Sequence, residues 1–224
     1  YRALRSLFAF SKYDTVLSVG GRVYQWMDVL VIGFFLTQSD VGVYEIAWQV
    51  SLIVLVASKS IELTIFPQIS HWDANASREQ IEETVSTALR YTLFISIPAL
   101  AGSLFYAADL LLYLFFSEYA VWALVLVVVM IETVFHAVND VIGSTVRALN
   151  RVDLSAYVTV ASIGVNLLLS PILVVTIGIV GAAIPTGVAR FVNVVLNAGY
   201  LKRGRSFDIP YRVEGWYALE SVVM

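Results

Sequence analysis

A set of ionisable residues lies inside long apolar stretches of this sequence: Arg22, Asp28, Glu45, Lys59, Glu62, Glu132, His136, Asp140 and Arg190. An ionised group at the centre of a bilayer costs at least about 2.5–3.5 kcal/mol on insertion scales, so it turns toward a partner or an aqueous cavity. Helical spacing sorts these residues and their polar neighbours into stripes, because positions three or four apart share a face. Glu132, His136, Asn139 and Gly143 form one stripe with Asp140 at its edge; Ser162, Asn166 and Ser170 form a second; Thr186, Arg190, Asn193 and Asn197 form a third. Three helices with one polar stripe each can line a shared cavity while their apolar faces meet lipid, which suits a transporter of a polar or anionic solute. Simpler readings stand beside that one. Lys59 and Glu62 are spaced for a local ion pair with a snorkelling lysine, and Glu45 lies close enough to a span end to be solvated. His136 reads either as a bundle histidine or as a proton relay. Asn166, Asn193 and Asn197 read either as cavity lining or as interhelical hydrogen-bond glue. Arg22, Asp28 and Arg190 lie too far from span ends for snorkelling alone.

Chemistry of other kinds has no support. There is no nucleophile elbow, P-loop or H-E-x-x-H motif, and Glu132 with His136 supplies two metal ligands without a third. No catalytic residue, metal site or cofactor is assigned, and the chain reads as a non-enzyme. Cysteine is absent, which excludes thiolate chemistry and disulfides, and a net charge of −3 gives nucleic acid no basic surface.

The elements that must position these residues follow from composition. Of 224 residues, 59% are hydrophobic and 14% charged, against about a quarter charged in soluble domains. The apolar runs are continuous and long enough to cross a hydrocarbon core as helices. The fold class is therefore an all-α polytopic membrane protein. Six spans are expected at 14–36, 41–66, 90–106, 120–146, 154–176 and 180–201, preceded by a lead-in (1–13) and followed by a loop and the start of a further helix (204–224). Pro67 is expected to end the second span, a polar loop with an amphipathic stretch at Gln80–Leu89 to follow, and Pro98 to kink the third. Lys and Arg fall before span one, between two and three, between four and five, and after six; the other connections have none. By the positive-inside rule both ends are cytoplasmic in a multi-pass plasma-membrane protein. The start at Tyr1 and the stop inside a helical pattern suggest a piece of a longer polypeptide.

Several segments then carry a resemblance: Asp28-Val-Leu-Val-Ile-Gly33-Phe-Phe-Leu, Val41-Gly42-Val-Tyr44-Glu-Ile-Ala47, Phe66-Pro67-Gln-Ile-Ser70, Phe115-Phe-Ser-Glu-Tyr119-Ala120, Arg147-Ala-Leu-Asn-Arg151, Val165-Asn166-Leu-Leu-Leu and Ile177-Gly178-Ile-Val-Gly181-Ala182-Ala183-Ile184. In this order and spacing they resemble the C-terminal half of polysaccharide flippases of the multidrug/oligosaccharidyl-lipid/polysaccharide exporter superfamily. Pro185 and Glu118 depart from the pattern. The resemblance implies two six-helix bundles about a central cavity that opens alternately to each side, this chain being the second bundle and the N-terminal bundle of the same polypeptide its partner. It implies a polyprenyl-diphosphate-linked oligosaccharide moved from the cytoplasmic to the outer leaflet within membrane lipid, with Arg22 and Arg190 on the diphosphate. Asp28 either pairs with Arg22 or serves a coupling cation. The expected substrate-binding set is Arg22, Asp28, Glu132, His136, Asn139, Asn166, Arg190 and Asn193. A net-cationic cavity would disfavour the first alternative, a drug or small-cation exporter of the same superfamily. The second alternative, a membrane enzyme acting on lipid-linked sugars, lacks a convergent site.

Overall fold

The computed structural model describes residues 15, 19–22, 26–75, 77–115 and 122–205, and these are helical apart from short connections. We number the helices α1 (Trp26–Phe35), α2 (Gln38–Ala74), α3 (Arg78–Leu114), α4 (Ala123–Ala148), α5 (Val152–Ile177) and α6 (Val180–Arg205). Helices α2 to α5, and Val180–Lys202 of α6, are each long and apolar enough to cross a membrane. The chain is thus an all-α, multi-pass membrane protein. Part of the expected first span lies outside the described residues, as do the expected lead-in and most of the tail.

Two helices differ in extent from the expected spans. Helix α2 does not stop at Pro67 but continues to Ala74, and α3 begins at Arg78, so the expected polar loop contracts to a few residues. The reason is packing: Ile65 and Ile69, on either side of the proline, are buried with Ile81 and Val85 of α3 in one apolar cluster. That burial holds the helix together past a single lost backbone bond. The amphipathic Gln80–Leu89 stretch is the first part of α3 itself, which also runs through Pro98 to Leu114. At 37 residues each, α2 and α3 are about 55 Å long. They outreach a hydrocarbon core of about 30 Å.

The connections are built by local chemistry. Thr37 and Asp40 form a capping box: the Thr37 N–H donates to Asp40 Oδ2 at 2.9 Å and the Asp40 N–H to Thr37 Oγ1 at 3.3 Å. Helix α4 ends in a Schellman turn, with Asn150 at φ 59°, its N–H on the Arg147 carbonyl and the Arg151 N–H on the Val146 carbonyl. The Arg147–Arg151 segment is therefore a helix terminator. Between α5 and α6, Gly178 adopts φ 68°, and a Cβ on Gly181 would fall inside the Leu173 carbonyl. The two helices meet too closely there for any side chain.

Helix α4 is central and packs against α2, α3 and α6, while α5 packs mainly on α6. The apolar core is divided in two. One cluster contains Val43, Ala47 and Val54 of α2, Ala107 and Leu111 of α3, Val125 to Met130 of α4, Val174 of α5 and Ala182 and Ala183 of α6. The other contains Ile65 and Ile69 of α2, Ile81, Val85 and Ala88 of α3, Val141, Ile142 and Val146 of α4, and Ala198 and Leu201 of α6. Between these positions every one of the long helices carries buried polar residues: Ser58 and Glu62 on α2, Thr92 and Ser96 on α3, Glu132 and Thr133 on α4, Ser162, Asn166 and Ser170 on α5, Thr186 and Asn197 on α6. The interior is a polar belt between two apolar layers.

Candidate functional site

The belt holds three hydrogen-bonded groups. The first is centred on Asp28, 5% exposed on α1. The Tyr44 hydroxyl of α2 donates to its Oδ2 at 2.6 Å, and the Thr186 hydroxyl of α6 donates to its Oδ1 at 2.6 Å. Thr186 in turn accepts from Asn166 Nδ2 of α5 at 2.6 Å, and Asn166 Oδ1 accepts from the Ser170 hydroxyl at 2.8 Å. Every donor in this relay points toward the Asp28 carboxyl group, so four helices are tied to one side chain. The register is set by the α1–α2 turn: Asp28 and Tyr44 lie at nearly equal distances along the chain from Leu36 and Thr37, and antiparallel helices bring such positions level.

The second group lies deeper along α4. Glu132, 2% exposed, forms an ion pair with Arg190 of α6. Gly187, one turn before Arg190, faces Glu132, and a Cβ there would meet Glu132 Cβ at 3.6 Å, an ordinary packing distance. His136 Nδ1 is 3.9 Å from Glu132 Oε1 and its Nε2 is 3.8 Å from Asp140 Oδ1, so the ring lies between two carboxylates a helical turn to either side. Trp48 of α2 stacks on the imidazole at 19° with centroids 6.1 Å apart. Asp140 also accepts from Ser58 of α2 at 3.0 Å. One turn further, Glu62 accepts from Lys59 at 2.6 Å and from Arg147 of α4 at 2.9 Å. The local Lys59–Glu62 pair is present, and Arg147 extends it into a bridge between helices. The third group joins α5 and α6: Asn193 donates to Ser162 at 3.2 Å and Asn197 to Asn193 at 2.6 Å.

A cavity of about 70 Å³ opens between these groups, lined by Asp28, Tyr44, Glu45, Thr186 and Arg190 together with Trp26 and Trp48. Of the residues singled out in the sequence, Asp28 and Asn166 fall into one network, Glu132, His136 and Arg190 into a second, and Asn193 into the third. Asn139 lies in the belt with Oδ1 buried and no hydrogen-bond partner among the described residues. Arg22 stays apart: it is helical and exposed, and the Asp28 oxygens are bonded to Tyr44 and Thr186 instead. The lining is not net-cationic. Along the belt Asp28, Glu45, Glu62, Glu132 and Asp140 stand against Lys59, Arg147 and Arg190, so carboxylates are in the majority. Tyr44, Trp26, Trp48 and Ser58 belong to the site although sequence reasoning passed over them. The mirror register of positions 28 and 44 about the turn was the signal for Tyr44.

The described residues thus form a multi-pass helical bundle with a charged, cross-linked interior. The comparisons place it more closely. The family model described as "Polysaccharide biosynthesis protein" matches residues 1–121, more than half of the chain, and the chain belongs to that family. It is 40% identical over its whole length to the "Probable low-salt glycan biosynthesis flippase Agl15" of Haloferax volcanii, of which it covers 48%. It is 27% identical over 183 residues to the "Probable flippase AglR" of the same organism, covering 81% of this chain and 38% of that one. Among solved structures, "Lipid II flippase MurJ, inward closed conformation" superposes with a TM-score of 0.72 at 18% identity, over 82% of this chain and 40% of the other; that likeness is one of fold. The chain thus spans about half the length, or less, of the relatives it matches.

Proposed function

We propose that this chain is one bundle of a two-bundle flippase that moves polyprenyl-diphosphate-linked saccharide from the cytoplasmic to the outer leaflet by alternating access, with an N-terminal six-helix bundle of the same polypeptide as its other wall. The observation that carries the reading is the charged belt through an otherwise lipid-facing bundle, in a chain so similar over its full length to a probable glycan flippase. Lipid offers no reason to keep such charges, whereas a solvated substrate path does. The distribution of Lys and Arg supports an orientation with both ends of the segment, and the α2–α3 connection, on the cytoplasmic side.

In this reading Arg190 and the exposed Arg22 supply positive charge to the diphosphate, Arg190 by exchanging its Glu132 partner for phosphate oxygens. Asn139 and Asn193 contribute hydrogen bonds, and His136 couples the two ends of the α4 stripe. Asp28, with the Tyr44 and Thr186 hydroxyls against its carboxylate, supplies the hard oxygen ligands for a small coupling cation. The carboxylate majority of the belt favours a second reading, an exporter of small cationic solutes. Reconstitution of the full-length protein in liposomes separates the two. Flipping of polyprenyl-diphosphate saccharide that falls on Arg190→Gln supports the first, and uptake of organic cations with no flipping supports the second.

A further inference from the structure

The flippase reading leaves open what holds the sugar, and the cavity beside Asp28 presents groups that suit one. Trp26 and Trp48 both line it, on antiparallel helices joined by a two-residue turn. Trp26 lies ten residues before that turn and Trp48 about as far beyond it, so the two indoles sit at one level, roughly 15 Å from the turn along each helix. Both helices belong to the apolar bundle, and the two indoles line its cavity. Trp26 is 57% exposed even so. Trp48 is held in place by the near-parallel ring of His136 behind it. Asp28, Glu45 and Arg190 line the same cavity, two acceptors and a donor of charge-assisted hydrogen bonds.

We infer that Trp26 and Trp48 form a saccharide subsite, in which a pyranose ring stacks its C–H face on indole while its hydroxyls donate to Glu45 and accept from Arg190. The chemistry suits a sugar. A pyranose has one face of polarised C–H groups, which an electron-rich aromatic face attracts, and an equatorial rim of hydroxyls, which carboxylates and guanidinium bind. A cavity of about 70 Å³ takes only a few waters at about 30 Å³ each. The ring therefore lies across its mouth, where Trp26 is exposed, and displaces that water. This inference rests on the flippase reading and adds to it the residues that select glycosylated over bare lipid.

The test uses full-length protein in liposomes with two probes, polyprenyl diphosphate carrying one hexose and bare polyprenyl diphosphate, and reads the ratio of their flipping efficiencies. Trp48→Ala and Trp26→Ala are expected to lower that preference by about tenfold, the equivalent of one stacking contact, and Trp48→Phe to restore most of it. An unchanged ratio in both alanine variants, whether the two rates hold or fall together, overturns the subsite and leaves the flippase reading standing. Failure of the wild-type protein to flip either lipid overturns both.

Discussion

The Tyr44 hydroxyl of α2 donates to Asp28 of α1 at 2.6 Å, across a hairpin whose turn is only two residues long. Thr186 bonds the opposite carboxylate oxygen from α6, so one side chain holds α1 and α2 to the α5–α6 pair. Removing a partner from such a buried group costs about 1–3 kcal/mol because the remaining polar atom loses both water and its bond. Tyr44→Phe in the full-length protein should therefore lower the detergent-solubilised Tm. Asp28→Ala, which orphans two hydroxyls, should lower it further. Equal Tm values for wild type and both variants would contradict this account of the hairpin.

The Glu132–Arg190 pair yields a prediction with an internal control. Either charge alone, left buried in the bundle, is expected to destabilise by about 3–5 kcal/mol. Glu132→Gln and Arg190→Gln should each reduce folded yield, and the double variant should recover much of that yield because no net charge remains buried. Recovery of yield without recovery of flipping would separate the structural role of the pair from its role in transport.

At Gly181 the approach of α6 to the Leu173 carbonyl leaves no room for a methyl group. Gly181→Ala should force the α5–α6 hairpin apart and reduce the amount of folded, membrane-inserted protein. Gly199→Ala, on the same helix with nothing near its Cβ position, should be close to neutral. Size-exclusion profiles of the two variants check the contrast.

Orientation is open to direct labelling, because the chain has no cysteine. In the full-length protein, with any other cysteines removed, Ser39→Cys at the start of α2 should react with an impermeant maleimide added outside intact cells. Glu79→Cys at the start of α3 should react only after the membrane is opened. The reverse pattern would invert the topology.

Much of this arrangement was legible in the sequence. The stripes on α4, α5 and α6 follow from a period of 3.6, and they are the polar belt. The resemblance to polysaccharide flippases agrees with the family match. What periodicity does not encode is which stripe meets which. Glu132 and Arg190 become partners only where α4 packs on α6, and that pairing takes up the one guanidinium among the three stripes. Tyr44 passed as part of an apolar run because its hydroxyl matters only once the hairpin sets it level with Asp28. Pro67 marked a helix end by local rules, but Ile65 and Ile69 bury enough surface against α3 to carry α2 onward. The Arg147–Arg151 segment carried a family pattern, and its physical meaning, a Schellman turn with Asn150 at positive φ, needed backbone geometry.

The central claim is that the full-length protein carries lipid-linked saccharide across the membrane. Its most direct test is the pool of lipid-linked oligosaccharide in cells lacking the full-length gene, with the leaflet resolved by a membrane-impermeant label. The account predicts accumulation on the cytoplasmic leaflet with loss of surface glycan, both reversed by the wild-type gene. An unchanged pool, unchanged leaflet distribution and intact surface glycan would contradict it.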